Sequence, residues 1–361
     1  MKHWSGLGIG LVLLALAACG PRPEQSIPAP AATPSPEPRV LRVMTYSSFS
    51  ISEETVAEFE ERYHTQLQFL DAGDTGKMLN QAILSKDNPQ ADLLYGLDNT
   101  FLSRALEADI FEPYAPKGLT AVPEIYRLDP QSRVVPVDFG DVCLNYDKAY
   151  FQEHALAVPQ SLQDLTDPAY RDLLVVQNPA SSSPGLAFLM ATIGVYGDPG
   201  YLDYWKALQE NGVRIVEDWD SAYYSEFSGG AYSEGVRPLV VSYATSPAAE
   251  VYFSEGALAE PPTGAVTAAN TCFRQVEFAG ILKNGQHPDL AQAFMEFLLS
   301  DTFQGEIPLQ MWVFPVSRSA PLPEVFTAYA LEAEQPVAIS AEQIEQNREA
   351  WITTWADLML R

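Results

Sequence analysis

Little in this sequence suggests chemistry of its own. The 361 residues include three cysteines and four histidines, and no G-x-S-x-G elbow, H-E-x-x-H pair or C-x-x-C occurs. No motif sets a nucleophile beside a base or gathers metal ligands, so neither an enzyme nor a metal site is expected. Basic residues are also scarce. Lys and Arg total 21 against 47 Asp and Glu, a formal net charge of −26, which leaves no basic patch to neutralise phosphates and argues against nucleic acid. That acidity favours cationic ligands, although an acidic surface also serves solubility. After residue 19 no apolar run is long enough to cross a bilayer as a helix, so a channel of spanning helices is not expected. Gly73-Asp74-Thr75-Gly76-Lys77 lacks the glycine spacing and the final hydroxyl of a phosphate loop and reads as a turn before a helix.

What is present starts with an address. Lys2 gives a positive start, Leu11 to Leu16 form a short apolar core, and Leu16-Ala17-Ala18-Cys19 has the small-residue pattern of a lipid-attachment site. Residues 1–18 are therefore expected to be a signal peptide and Cys19 the lipidated first residue of the mature chain. Residues 19–38 are rich in Pro, Ala, Ser and Glu with almost no large apolar side chain, the composition of an extended tether. The remainder, about 39–361, is long enough for a two-lobed body. Cys143 and Cys272 then remain, either as a disulfide suited to an exported protein or as two buried thiols.

The body alternates strand and helix. Residues 39–46 read as a strand, and Ser50 precedes Glu53 at capping-box spacing ahead of an amphipathic helix with Val56, Phe59 and Tyr63 on one face. Strands are expected near Leu67 and over 91–97, with helices over 78–84 and 101–106. A second run places strands over 173–177 and 239–243, a helix over 186–193, and a further helix after Pro288. This is the β-α-β pattern of an α/β fold, with extended segments over 138–145 and 271–277 joining two units around a cleft. Ligands in such folds bind beyond the carboxyl ends of strands, which directs attention to Tyr46 and to Asp98-Asn99. Asp98 and Asn99 serve equally as a helix N-cap. Trp219, Tyr223, Tyr243 and Trp312 fall at loop positions where aromatics either pack or stack on a ligand. Ser181-Ser182-Ser183-Pro184-Gly185, between strand and helix, either caps the helix or holds an anion. Trp351 and Trp355, at helical spacing, read as core.

Six segments carry a resemblance in order and spacing. They are Thr45-Tyr46-Ser47-Ser48-Phe49, the run 91–99 ending in Gly96-Leu97-Asp98-Asn99, Ser181-Ser182-Ser183-Pro184-Gly185-Leu186, Asp218-Trp219-Asp220-Ser221-Ala222-Tyr223, the run 241–248 containing Ser242-Tyr243 and Ser246-Pro247, and Gln310-Met311-Trp312-Val313-Phe314-Pro315. Together they resemble the thiamine-binding proteins of bacterial thiamine ABC transporters, which have the type II periplasmic binding-protein fold. The resemblance implies a bilobal α/β protein, with residues 39–141 and 276–320 in one lobe and 142–275 and 321–361 in the other, the C-terminal helices packing on either. It implies that Tyr46, Asp98, Trp219, Tyr243 and Trp312 line a thiamine cleft with Ser182 near the hydroxyethyl or phosphate end. Asn99, Ser183, Tyr223 and Ser246 complete the ligand-binding set. It further implies a monomeric receptor, without a cofactor, that delivers thiamine or its phosphates to a permease and its ATPase. Aromatic faces would attract the thiazolium cation, and a carboxylate such as Asp98 would accept from the aminopyrimidine.

Two departures stand out. Ala249 occupies a position where the family commonly has an aromatic, and Ala180 one where a basic residue can precede the serines. Cys143 and Cys272 fall in the two joining segments, where neighbouring strands would allow a disulfide. Alternatives on the same fold are a ferric-iron receptor using Tyr223-Tyr224, a polyamine receptor, or a thiamine-processing enzyme with a cysteine nucleophile.

Overall fold

Eleven strands form one mixed sheet in the computed structural model, which describes residues 39–230 and 233–361. The expected signal peptide, Cys19 and the tether lie outside the described residues. The strands are β1 (Arg39–Thr45), β2 (Thr65–Asp71), β3 (Leu93–Asp98), β4 (Phe111–Glu112), β5 (Val135–Asp147), β6 (Leu174–Gln177), β7 (Arg214–Val216), β8 (Leu239–Tyr243), β9 (Thr263–Val266), β10 (Phe273–Leu282) and β11 (Phe314–Pro315). The main order is β2-β1-β3-β10-β5-β8-β6-β7. Parallel trios β2-β1-β3 and β8-β6-β7 sit at the two ends, as the β-α-β pattern required.

Two long strands carry the chain between the trios. β10 pairs antiparallel with β3 on one side and with β5 on the other, while the later part of β5 pairs antiparallel with β8. These strands contain the segments read from sequence as connections. Val142 faces Phe273, and the next pair along that register is Cys143 and Cys272, which form a disulfide. Beside it, the buried Asp141 carboxylate receives both Nε and Nη2 of Arg274, at 2.8 and 2.7 Å. Bidentate pairing of this kind satisfies a carboxylate that burial would otherwise penalise.

Helices cover the sheet. Residues Ser183–Tyr196 form a helix that is apolar on nearly every side, and eleven of its residues are buried, so it runs through the core rather than over it. The helix Ala341–Met359 closes the chain, with Trp355 edge-on to Trp205 at 5.3 Å and Trp351 also buried, the core role expected of both. It packs against the helices Gly200–Glu210 and Leu102–Glu107, and so touches elements from both ends of the sheet. The first helix corrects a boundary. It spans Glu53–Tyr63, and Ser52, not Ser50, is its N-cap, accepting from Thr55 N. Ser50 instead donates to Gln310 Oε1. A cap must sit next to the first helical residue, so Glu53 falls too early to close a box with Ser50. The capping box that does form, Ser340 with Gln343, opens the last helix.

Candidate functional site

A cavity of about 600 Å³ opens where strand ends from both trios meet. Aromatic rings form much of its wall. Tyr46 follows the end of β1, and its ring lies across Gly96, where a Cβ would come within 2.1 Å of the Tyr46 Cδ1. Gly96 also has φ +94°, a conformation that glycine adopts without a steric penalty. At Tyr243, the last residue of β8, the same device recurs: a Cβ on Gly140 would be 2.9 Å from its Cδ1. Two glycines, in the strands β3 and β5 that flank β10, thus make room for two rings.

Trp219 stacks on Tyr223 with ring centroids 4.9 Å apart and planes 19° from parallel. Its indole Nε1 donates to Ser242 Oγ at 2.9 Å, and Ser242 in turn contacts Ser246 Oγ at 2.9 Å, so the exposed ring face is held in one orientation. Tyr223 and Tyr224 sit on a π-helical turn, Ser221–Glu226, and the Tyr223 hydroxyl donates to Glu250 Oε1 at 2.7 Å. Trp312 completes the wall from an unusual backbone position, φ +58°. A bulky residue in the left-handed region stores strain, and Thr245 Oγ1 secures it by donating to the Trp312 carbonyl at 2.5 Å.

Carboxylates fill the gaps between the rings. Asp74, Asp220, Glu250, Glu255 and Glu277 all line the cavity, and no lysine or arginine does among the described residues. Asp74 precedes the helix Thr75–Leu84 without a side-chain cap bond. Burial, and after it the Asp218 charge, pushes its pKa up to about 6 against a smaller opposing pull from Lys77. Glu277 accepts from the Tyr46 hydroxyl at 3.0 Å, and burial together with the Asp138 and Asp98 charges raises its pKa well above the ordinary range. Burial raises Asp138 to about 7, and its carboxylate accepts from Tyr95.

Of the ten residues proposed from sequence, Tyr46, Ser183, Trp219, Tyr223, Tyr243, Ser246 and Trp312 come together around this cavity. Asp98, Asn99 and Ser182 do not reach its wall. Asp98 is fully buried and receives Ser183 Oγ together with Thr100 N and Oγ1, so its carboxylate is consumed within the protein. Asn99 spans to β10, donating to Arg274 O and accepting from Val276 N. Ser182 is the N-cap of the helix Ser183–Tyr196, and its buried Oγ has no hydrogen-bond partner among the described residues. The lining residues that sequence reasoning passed over include Asp74, Glu277, Phe253 and Met311. Asp74 had a signal, a free acid in a turn at a strand-to-helix junction. Glu277 had none, because a strand acid reads as solvent-facing.

The two cysteines are bonded and fully buried, which leaves the body no thiol to act as a nucleophile among the described residues. Nor does any group of three or more His, Cys, Asp or Glu side chains form a metal cage among the described residues.

Fold and cavity fit a solute-binding protein of the type II periplasmic binding-protein fold. The family model for bacterial extracellular solute-binding proteins matches residues 88–347, and the chain belongs to that family. Among its relatives is the thiamine-binding periplasmic protein of Salmonella typhimurium, 30% identical over 327 residues that cover 88% of this chain and 92% of that protein. A solved periplasmic thiamin binding protein superposes with a TM-score of 0.79 at 28% identity, covering 91% of this chain and 98% of its own. More distant is iron uptake protein A2 of Synechocystis, 26% identical over 258 residues, 70% of this chain and 72% of that protein.

Proposed function

We propose that this protein captures thiamine in the cavity and delivers it to an ABC permease driven by an ATPase, while lipid on Cys19 keeps it at the membrane. One observation carries the ligand: stacked and tilted aromatic faces and five carboxylates enclose a space with no cationic side chain among its described lining. Thiamine presents two flat rings and a permanent positive charge. Each aromatic face contributes about 0.5 to 2 kcal/mol to holding such a cation away from water. Asp74 takes the part first expected of Asp98, as a lining carboxylate able to accept from the aminopyrimidine or balance the thiazolium charge. Tyr46 and Glu277 form a second polar point 3.0 Å apart on the same wall.

The rings and acids lie on elements reached through β5 and β10, so closing of the two ends of the sheet about those strands would seal the ligand in. The aromatic missing at Ala249 is supplied one helical turn later. Phe253 lines the cavity and approaches Trp312 with ring centroids 5.2 Å apart. The ferric-iron reading is less well supported, because Tyr223 spends its hydroxyl on Glu250, and burial followed by the Glu250 charge raises its pKa away from the phenolate that iron requires.

Calorimetric titration of purified protein, unfolded and refolded to strip any retained ligand, tests the proposal. Tight one-to-one binding of thiamine that weakens in Asp74→Asn is the expected result. Refolded protein that ignores thiamine but takes up spermidine or ferric iron would replace it.

A further inference from the structure

We infer that Arg348 acts as a release spring: its guanidinium is buried where the two ends of the sheet meet outside the cavity, and holding that charge away from water favours reopening. The inference rests on the reading above, in which closing of the two ends seals the ligand in.

Arg348 belongs to the last helix, Ala341–Met359, which is fixed to the β8-β6-β7 end. Trp355 lies edge-on to Trp205, and Trp351 Nε1 donates to Asp198 Oδ2 at 2.9 Å, both partners coming from the stretch between β6 and β7. From this anchored helix Arg348 reaches the other end of the sheet. Its Cζ lies 4.7 Å from the ring centroid of Phe101, which follows β3 and precedes the helix Leu102–Glu107.

Phe101 sits at the seam between the two ends. A Cβ on Gly76 would be 3.3 Å from the Phe101 Cζ and 3.8 Å from the Ala180 carbonyl oxygen. Gly76 follows the lining residues Asp74 and Thr75, and Ala180 precedes the lining residues Ser183 and Pro184. The ring and the guanidinium over it therefore adjoin the stretches that carry both walls, while neither residue lines the cavity.

The guanidinium is poorly compensated. Arg348 is 3% exposed, whereas Glu349, the carboxylate it donates to, is 73% exposed on the same helix. A carboxylate so open to water contributes little. Phe101 adds a cation–π contact, but removing a guanidinium from water costs more than one aromatic face and one exposed acid offset. Burial pulls the Arg348 pKa below its ordinary value, against the Glu349 charge and with help from Arg104. Parting the two ends would return water to the guanidinium, so the sealed form is less stable than its apolar contacts alone would make it.

Stopped-flow chase of bound thiamine and small-angle X-ray scattering test the spring. Arg348→Met keeps the length and removes the charge. It should slow thiamine release by about 3- to 10-fold with almost no change in association rate, and ligand-free protein should scatter with a radius of gyration closer to that of the loaded form. Arg348→Lys keeps a charge and should not slow release. Phe101→Leu removes the aromatic face but leaves the charge, and should speed release; it decides alone if Arg348→Met does not fold. Release from Arg348→Met at the wild-type rate or faster overturns the inference, as does a higher melting temperature with unchanged release and scattering, which would confine Arg348 to the fold. If folded wild-type protein binds no thiamine, the thiamine reading falls, and the ligand-free scattering of Arg348→Met still decides the spring.

Discussion

Glu277 faces Asp138 across the β5–β10 pair, and on its other side it faces Asp98 across the β3–β10 pair. Three carboxyls thus occupy one row through the middle of the sheet, and Glu277 brings that row to the cavity wall. Register alone produces the arrangement, since residues directly opposite in adjacent strands project on the same side. Burial and mutual repulsion favour keeping protons on such groups.

The first prediction concerns pH. Asp138 is raised from 3.8 to about 7, and Glu277 is raised well above its ordinary range by burial and its acidic neighbours. Folded-state values above the unfolded ones mean that their contribution to stability is full below about pH 4 and is lost as pH rises through about 7. The ligand-free protein should therefore lose melting temperature between pH 5 and 8.5 through this pair, and Glu277→Gln should lose less over that interval. Thiamine affinity should move the opposite way, rising as the pair, Asp74 and Asp220 ionise. Tyr46, Tyr95 and Tyr243 stay neutral across the range because burial raises all three. Scanning fluorimetry and calorimetry at stepped pH measure both trends, and a pH-independent wild-type affinity would remove the row from ligand binding.

The second concerns the disulfide. Cys143 and Cys272 are 129 residues apart in sequence and close the chain between β5 and β10. Replacing both with serine should cost about 2–5 kcal/mol in denaturant unfolding. Alkylation and mass spectrometry of unreduced, unfolded protein should leave both residues unlabelled.

Trp219 gives a third. Trp219→Ala removes a stacked ring and should weaken thiamine binding by about 10- to 100-fold. Trp219→Phe keeps a ring but loses the bond to Ser242, and should fall between the two in calorimetry. If Trp219→Ala binds like wild type, the ring serves the fold alone.

The fourth tests a backbone position. Gly96→Ala puts a Cβ into the Tyr46 ring at φ +94°. It should destabilise the protein by about 1–3 kcal/mol and displace Tyr46 from the cavity. Chemical denaturation reads the first effect, and titration with thiamine reads the second.

Phe253 provides the last. It is 53% exposed yet lines the cavity beside Trp312. Phe253→Ala should weaken thiamine binding by about three- to tenfold with almost no change in melting temperature, as expected for a residue that contributes little to the core. Unchanged affinity would leave the gap at Ala249 without a substitute.

Sequence by itself determined the alternation of strand and helix, and the family resemblance it carries pointed to seven of the residues that gather at the cavity. Local physics carries the first through periodicity, whereas the aromatics and short polar residues at strand ends took their roles from the resemblance. The exact cap of the first helix was beyond it, because Ser50 and Ser52 have the same capping chemistry and geometry selects between them. Tertiary structure alone decided where the acids act. Asp98 and Asp74 both follow or approach a turn into a helix, and sequence favoured Asp98. Packing of the helix Ser183–Tyr196 against β10 sets Ser183 on the buried Asp98, whereas Asp74 is left on the cavity wall. The pairing of Cys143 with Cys272 and the row formed by Asp98, Glu277 and Asp138 likewise depend on strand register between segments more than a hundred residues apart. Side-chain type is written in the sequence, but which side chains become neighbours is decided by how the strands align.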